Sequence, residues 1–209
     1  MKSIINITKF LLHINLFKLS YIYQLLVLTL LFDFIFAYLL PSIIVIPPNA
    51  ANKLFIISLS LLIISFNTNY KPHEVKYIVS HVNSTNFIIA DIIEKSITSL
   101  LFSSIYLLFF NLFFNIFLTY SFILSIILFI ISITAVNTSV NHISLNSFNN
   151  TNSASLLIIK LPLIIPLIKL QIPFFYYYNT NFKHYLLLLL ITFISVLLTI
   201  ILFPFINKD

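Results

Sequence analysis

The chain has 209 residues, of which 60% are apolar and 8% charged, and its formal net charge is +6. Soluble globular proteins are about 45–50% apolar and about 25% charged, so this composition excludes an ordinary soluble protein and favours one embedded in a lipid bilayer. The absence of glycine and cysteine excludes glycine-based phosphate loops, disulfides and iron–sulfur sites.

The basic residues are all lysine, and tryptophan is absent as well. The missing residue types are largely those with GC-rich codons, which indicates an AT-biased, organellar gene. We therefore expect a multi-pass membrane protein of an organelle, in contact with lipid and without a nucleic-acid partner; if the organelle is a mitochondrion, the membrane is its inner membrane.

Residues 1–20 are predicted to form an amphipathic helix that lies in the membrane interface. Isoleucines, leucines and a phenylalanine face away from a set of polar residues that recur every three to four positions. These polar residues are Lys2, Asn6, Lys9 and His13. The alternative is that this segment simply extends the first membrane span.

Six stretches are apolar enough to cross a hydrocarbon core of about 30 Å, which needs about 20 helical residues. They lie near residues 21–40, 50–66, 96–112, 115–136, 154–172 and 185–205, and together they make one transmembrane domain over residues 1–209. The uncharged run from Ser96 to Val136 is about twice too long for one span, so it must turn once, near Asn111 and Asn115. Most lysines fall in segments on the same side of the membrane as the N-terminus. By the positive-inside rule, both termini are predicted to lie inside, which in a mitochondrion is the matrix.

The inside loop 67–95 contains a second amphipathic pattern. Val75, Ile78, Val79 and Val82 follow the i, i+3, i+4, i+7 spacing of one helix face, and Pro72 suits a first helical turn. We expect a short helix parallel to the membrane, whose apolar side is covered by lipid or by a partner protein. Its other side would carry polar residues: Lys71, Glu74, Lys76, Tyr77 and His81.

Few residues inside the predicted spans carry charge. Asp33 is the one acid placed deep in a predicted span. An intramembrane carboxylate suggests a proton or ligand site, but it could equally be paired with Lys160 or an asparagine as a structural element, or be protonated and inert. At the end of the inside loop, Asp91 and Lys95 are spaced i, i+4 with the acid first, which favours an ion pair at the base of the third span.

The fifth predicted span contains Pro162 and Pro166, each of which removes a backbone hydrogen bond and is expected to kink the helix. This broken helix suggests a moving element or simply helix packing. Its lysines, Lys160 and Lys169, are long enough to reach either interface.

Two further predictions concern polar residues outside the spans. The run 137–153 is predicted to be a polar loop, and all five histidines are placed outside the spans: His13, His73, His81, His142 and His184. The His73–Glu74 pair does not continue into a zinc-binding helix, because Tyr77 stands where the second histidine is needed.

The order of these features resembles the membrane subunits of ABC-2 transporters, and in particular the CcmB family of haem-exporter membrane proteins in cytochrome c maturation. The segment HEVKYIVSHVNSTNFIIADIIEKS, with Glu74 and Lys95, is similar to that family's pattern of acid, helix, break and lysine. The segment LPLIIPLIKL, with Leu161, Pro162 and Pro166, is similar to its Leu-Pro-x-x-x-Pro. The chain departs from the family in having no glycine, no tryptophan in the second span and no basic residues before the fifth.

The resemblance implies an all-α, ABC-2-like subunit with no catalytic residue and no cofactor of its own. ATP would be bound by a separate ABC subunit that docks on the helix near residues 72–82, haem would be handled by the complex, and the partners would be other cytochrome c maturation membrane subunits and a haem chaperone. Two other classes stay open, namely a structural membrane subunit of a respiratory complex and a Tat-type translocase subunit.

Overall fold

The computed structural model describes residues 2–16, 48–65, 83–114, 120–147, 153–171 and 182–206, together with Val27 and Leu31. Apart from Asn83, these residues are helical, which confirms the all-α prediction for this part of the chain. The helices are α1 (Lys2–Leu16), α2 (Pro48–Ser65), α3 (Ser84–Phe114), α4 (Tyr120–Ser147), α5 (Ser153–Gln171) and α6 (Phe182–Ile206).

Three of the described helices are long and apolar enough to cross a membrane. The qualifying stretches are Ser84–Asn111 in α3, Tyr120–His142 in α4 and Phe182–Leu202 in α6, and shorter apolar stretches occupy Ile4–His13 and Pro162–Gln171. With 31 residues, α3 is about 46 Å long at the α-helical rise, which exceeds a hydrocarbon core of about 30 Å. The described helices are therefore compatible with a membrane protein.

Contacts between the helices show that their directions alternate along the chain. Ser96 of α3 bonds Thr134 of α4, while Gln171 at the end of α5 bonds Ser125 near the start of α4, so α3 and α5 are antiparallel to α4. In α6, Thr192 bonds Ser132 and Thr199 bonds Ala135, so α6 runs parallel to α4. Successive helices that reverse direction are expected of a chain that crosses a layer repeatedly.

An apolar core lies between α2, α3, α4 and α5, and aromatic rings dominate it. The Phe55 ring is stacked on Tyr106 at 5.3 Å and meets the edge of Phe110 at 5.4 Å, with Phe122 tilted against it at 6.2 Å. All four side chains are buried. Large rings fill the space between helices that have no glycine at which their backbones could approach more closely.

Hydroxyl and amide side chains link the helices, as expected for a membrane bundle without glycine. Besides the contacts of α4 with α3, α5 and α6, Ser58 of α2 bonds Tyr106 of α3, and Asn137 of α4 donates to the Ile63 carbonyl of α2. Every one of the helices α2, α3, α5 and α6 is thus tied to another by at least one polar side chain.

The Ser132–Thr192 contact between α4 and α6 gives a first testable prediction. Its oxygens are 2.8 Å apart, and hydroxyl pairs of this kind in membrane bundles contribute on the order of 0.6 kcal/mol. We expect a double-mutant cycle of Ser132→Ala and Thr192→Val, measured by unfolding in detergent, to give a coupling of that size. The exposed Ser104, which bonds only the Leu101 carbonyl of its own helix in the described contacts, should show no coupling to Thr192; equal coupling for both pairs would contradict the assignment.

The predicted N-terminal helix is present as α1, and its apolar side packs on the first turns of α3. Leu11 of α1 is buried together with Phe87 and Ile88 of α3, whereas Ile5 and Phe10 remain exposed. Because α1 leaves part of its apolar surface uncovered, it has the two-sided character expected of an interfacial helix.

One predicted loop is wrong in the described region, and one predicted span is part of a longer helix. Helix α3 begins at Ser84, so residues 84–95 of the predicted inside loop 67–95 are helical, in agreement with the i, i+4 spacing of Asp91 and Lys95. The predicted polar loop 137–153 is helical as far as Ser147. In both cases polar residues that looked like loop residues lie on a helix face covered by other helices, where the chain can satisfy its backbone hydrogen bonds only by remaining helical.

Helix α5 continues through Pro162 and Pro166, and both prolines lie on its exposed side. Helix α6 packs on the bundle along one side and leaves most of its apolar side chains exposed, a distribution suited to contact with lipid. The exposed large residues of α6 are Phe182, Leu186, Leu187, Leu189, Leu190, Phe193, Ile194, Leu197, Leu198, Ile201 and Leu202.

Candidate functional site

The candidate site begins with an ion pair on α3. An asparagine cap starts this helix: the side-chain oxygen of Asn83 accepts hydrogen bonds from the backbone N–H and the hydroxyl of Thr85. Two turns later, Lys95 Nζ donates to Asp91 Oδ2 at 2.9 Å. The predicted i, i+4 pair is therefore confirmed, and Asp91 is completely buried (0% exposed).

His142 on α4 joins this pair. Its Nε2 lies 3.1 Å from Asp91 Oδ2, the same oxygen that accepts from Lys95, and its ring meets the edge of Phe87 with centroids 6.2 Å apart. The side chain is only 3% exposed. One carboxylate oxygen of α3 thus holds together a lysine of its own helix and a histidine of the next.

Two more buried ionisable residues adjoin these three. Glu94 of α3 is 1% exposed and Lys160 of α5 is 4% exposed, and Lys160 is within electrostatic range of Lys95. We call Asp91, Glu94, Lys95, His142 and Lys160 the ionic cluster. The cluster contains two acids and two lysines, and compensation by opposite charge is what makes buried ions tolerable, since an uncompensated buried charge is strongly destabilising.

Some buried polar atoms in and around the ionic cluster have no hydrogen-bond partner among the described residues. Buried oxygens of Asp91 (Oδ1), Asn137 (Oδ1) and Thr138 (Oγ1) have no hydrogen-bond partner there. Buried polar atoms without partners are uncommon in folded proteins and mark places where water, a ligand or a functional strain is found. The cluster therefore lies in a polar region of the bundle interior.

The position of the ionic cluster follows from the helix lengths. From Asp91 to the end of α3 at Phe114 is about 34 Å, and from the start of α4 at Tyr120 to His142 is about 33 Å. Both distances match one hydrocarbon thickness of about 30 Å. If the connection 115–119 lies at one membrane surface, the ionic cluster lies near the other.

The predicted site residues fall into three groups. Lys95 is in the ionic cluster, and Pro162 and Pro166 lie on α5 near its Lys160. Lys160 itself is buried, whereas Lys169 is exposed. The others, Asp33, Glu74, Val75, Ile78, Val79 and Val82, lie outside the described residues.

Sequence reasoning missed His142, Glu94 and Lys160 as members of a site. The prediction that His142 lies in a polar loop is wrong, because His142 is a buried residue of α4. His184 lies in the first turn of α6. Asp33 lies outside the described residues, and the structure adds two further acids, Asp91 and Glu94, that are buried on a long apolar helix. A signal was available: Thr134, Asn137, Thr138, Asn141 and His142 continue the inward face of α4 at helical spacing.

In the described part of the chain no three histidine, cysteine or acidic side chains are close enough to hold a metal ion.

Comparison with known proteins gives no match: no family model, no curated protein and no solved structure is similar to this chain.

Proposed function

We propose that this chain is the non-catalytic membrane subunit of an ABC-type transporter complex that acts in cytochrome c maturation in the mitochondrial inner membrane. Six membrane-crossing helices with both termini in the matrix, an interfacial N-terminal helix and a coupling helix within residues 67–82 would form one transmembrane domain. The resemblance of HEVKYIVSHVNSTNFIIADIIEKS and LPLIIPLIKL to the CcmB family supports this proposal, as does the alternating direction of α3 to α6.

The observation that carries the proposal is the long, uninterrupted helix α3. It begins at its cap Asn83, directly after the segment Pro72–Val82 that is predicted to receive the ATPase. Asp91 joins α3 to His142 of α4, and Lys160 of α5 adjoins Lys95. A push on the coupling helix would therefore reach α3, α4 and α5 together, because buried charges resist being separated.

ATP would be bound and hydrolysed by a partner ABC subunit, since the chain has no glycine with which to build a phosphate loop. The chain itself would bind no cofactor. Haem would be handled by the complex, with other cytochrome c maturation membrane subunits and a haem chaperone as further partners. The output would be loading or release of that chaperone, driven by helix motion.

The predicted position of the ionic cluster relative to the membrane is consistent with an ATPase bound on the matrix side. The ionic cluster lies at the same end of α3 as residue 83, about one hydrocarbon thickness from the α3–α4 connection. With the predicted matrix orientation, this end faces the matrix, where an ATP-binding subunit would be found. The cluster would then lie at the membrane boundary below the docked ATPase.

Replacing Val79 with aspartate tests the coupling helix. A charge on the predicted apolar face should detach the ATPase while the protein stays inserted, because desolvating an unpaired carboxylate in an apolar contact is unfavourable. The measurement is the amount of ABC subunit that co-purifies with the solubilised chain, for which we expect a loss of at least about tenfold, equivalent to about 1.4 kcal/mol.

Tyr77→Asp is the matched control, because Tyr77 is assigned to the polar side of the same predicted helix. It should leave co-purification nearly unchanged, and Ile78→Asp should behave like Val79→Asp. Unchanged co-purification in both apolar-face variants would reject the coupling helix. Recovery of the wild-type chain in a respiratory assembly or a protein translocase, without an ABC subunit, would reject the transporter assignment.

A further inference from the structure

We propose that helix α1 binds anionic phospholipid at the membrane surface, with the ammonium group of Lys9 in contact with the lipid phosphate. The inference uses only the described helices and does not rest on the transporter assignment. It identifies the partner of the side of α1 that α3 leaves uncovered.

Helix α1 has one side that is covered by the bundle and one side that is not. Thr8 and Leu11 are buried, with 7% and 1% exposed, and Leu11 packs on α3. Lys9 is exposed, and so are the large apolar side chains of Ile5 and Phe10. Since Ile5 precedes Lys9 by four residues, the two are neighbours on the helix surface. The uncovered side therefore combines a cation with apolar groups.

The charge of this side is positive. The sequence of α1 contains lysine but no acid, and the two acids of the described helices, Asp91 and Glu94, are both buried in the bundle interior. No described acid therefore lies on the surface to attract Lys9. Near an anionic bilayer, a lysine in this setting strengthens binding about fivefold.

The depth of α1 matches the lipid headgroups. It packs on residues 87–92 of α3, which lie about 33–40 Å along the helix from its end at Phe114. The hydrocarbon core is about 30 Å thick, and the headgroups bring the bilayer to about 40–45 Å. If the connection 115–119 lies at one edge of the hydrocarbon core, α1 lies just beyond the other edge, at the level of the phosphates.

A phospholipid fits this side better than a soluble anion does. Free phosphate would bind at Lys9 but would leave Ile5 and Phe10 exposed to water. A phospholipid supplies both kinds of contact, because its acyl chains cover the apolar side chains while its phosphate meets the ammonium group. The long stem of a lysine side chain at an interface allows this arrangement.

Tryptophan fluorescence of the full-length chain in vesicles tests the proposal. The chain has no tryptophan, so Phe10→Trp places a single fluorophore on the exposed side of α1, next to Lys9. The vesicles consist of phosphatidylcholine with a minor fraction of either phosphatidylglycerol or phosphatidylcholine that carries brominated acyl chains, which quench a tryptophan in contact with them. We expect brominated phosphatidylglycerol to associate at least about fivefold more strongly, and this preference should fall as salt is added.

Two control variants locate the preference. In the Phe10→Trp chain, Lys9→Gln should lower the preference about fivefold. Lys169→Gln should leave it unchanged, because Lys169 is exposed on α5 near Gln171, at the opposite end of the bundle. Phe193→Trp, which places the only tryptophan on the exposed surface of α6, should be quenched equally by the two brominated lipids.

Three results would overturn the proposal. Equal quenching of Phe10→Trp by the two brominated lipids would show that α1 does not select an anionic headgroup, as expected if its partner is an acidic protein surface. A preference that is unchanged in Lys9→Gln, or equally large at Phe193→Trp, would show that the net charge of the chain attracts the lipid. The absence of quenching by either lipid would show that α1 does not touch the bilayer. No ABC subunit is present in these vesicles, so failure here and failure of the transporter assignment are distinguishable.

Discussion

Replacing Lys95 with methionine is expected to lower the free energy of unfolding by about 3–5 kcal/mol, the range for breaking a buried ion pair by removing one partner. The side chain of Lys95 is 7% exposed, and its ammonium is 2.9 Å from Asp91. Without it, Asp91 and Glu94 remain buried with too little positive charge beside them. Reversible unfolding in mixed detergent micelles, followed by circular dichroism, measures the change.

Two comparisons make this result specific. Lys169→Met removes a lysine of the exposed surface of α5 and should change stability by less than about 0.5 kcal/mol. The double variant Lys95→Met with Asp91→Asn should recover part of the loss, because it removes both charges of the pair. A loss for Lys95→Met no larger than that for Lys169→Met would show that the ion pair does not hold α3 in place.

Replacing Phe55 with alanine is expected to lower the free energy of unfolding by about 3–5 kcal/mol, as for other large-to-small changes in a packed core. The ring is fully buried and contacts Tyr106, Phe110 and Phe122 on two other helices. Its removal leaves a cavity that rigid neighbouring rings cannot close. The same detergent unfolding experiment applies.

The matched control is Phe193→Ala, the same chemical change on α6, where the ring is 60% exposed. Little cavity forms at that position, so we expect a loss of less than about 1 kcal/mol. Similar losses at both positions would indicate that α2 is not packed on α3 and α4 through these rings.

The helices themselves were predictable because their apolar runs are long. Near 50–66, 154–172 and 185–205 the predicted spans agree with α2, α5 and α6 to within a few residues at each end. The turn between α3 and α4 was predictable from length alone, since a run of about 60 Å cannot cross one bilayer without reversing. The Asp91–Lys95 pair was predictable because both partners lie on one helix, one turn apart.

The rest of the ionic cluster was not predictable in this way. His142 is 51 positions from Asp91, and Lys160 comes from a third helix. The run Asn137–Ser147 has the composition of a loop, but it is helical. Its first residues are buried against other helices, where Asn137 bonds α2 and His142 bonds α3. Spacing along one helix says nothing about which face a neighbouring helix covers.

The sequence by itself determined that the chain is α-helical and suited to a membrane, that it has no phosphate loop, and where most of its helices lie. These properties depend on composition and on local periodicity, and both can be read from the residue types and their spacing along the chain. Only the tertiary structure decided that Asp91, Glu94, Lys95, His142 and Lys160 meet in one buried cluster. Their meeting depends on helix direction and on which sides of three helices pack together, and the large energy of bringing charges out of water acts only once that packing exists.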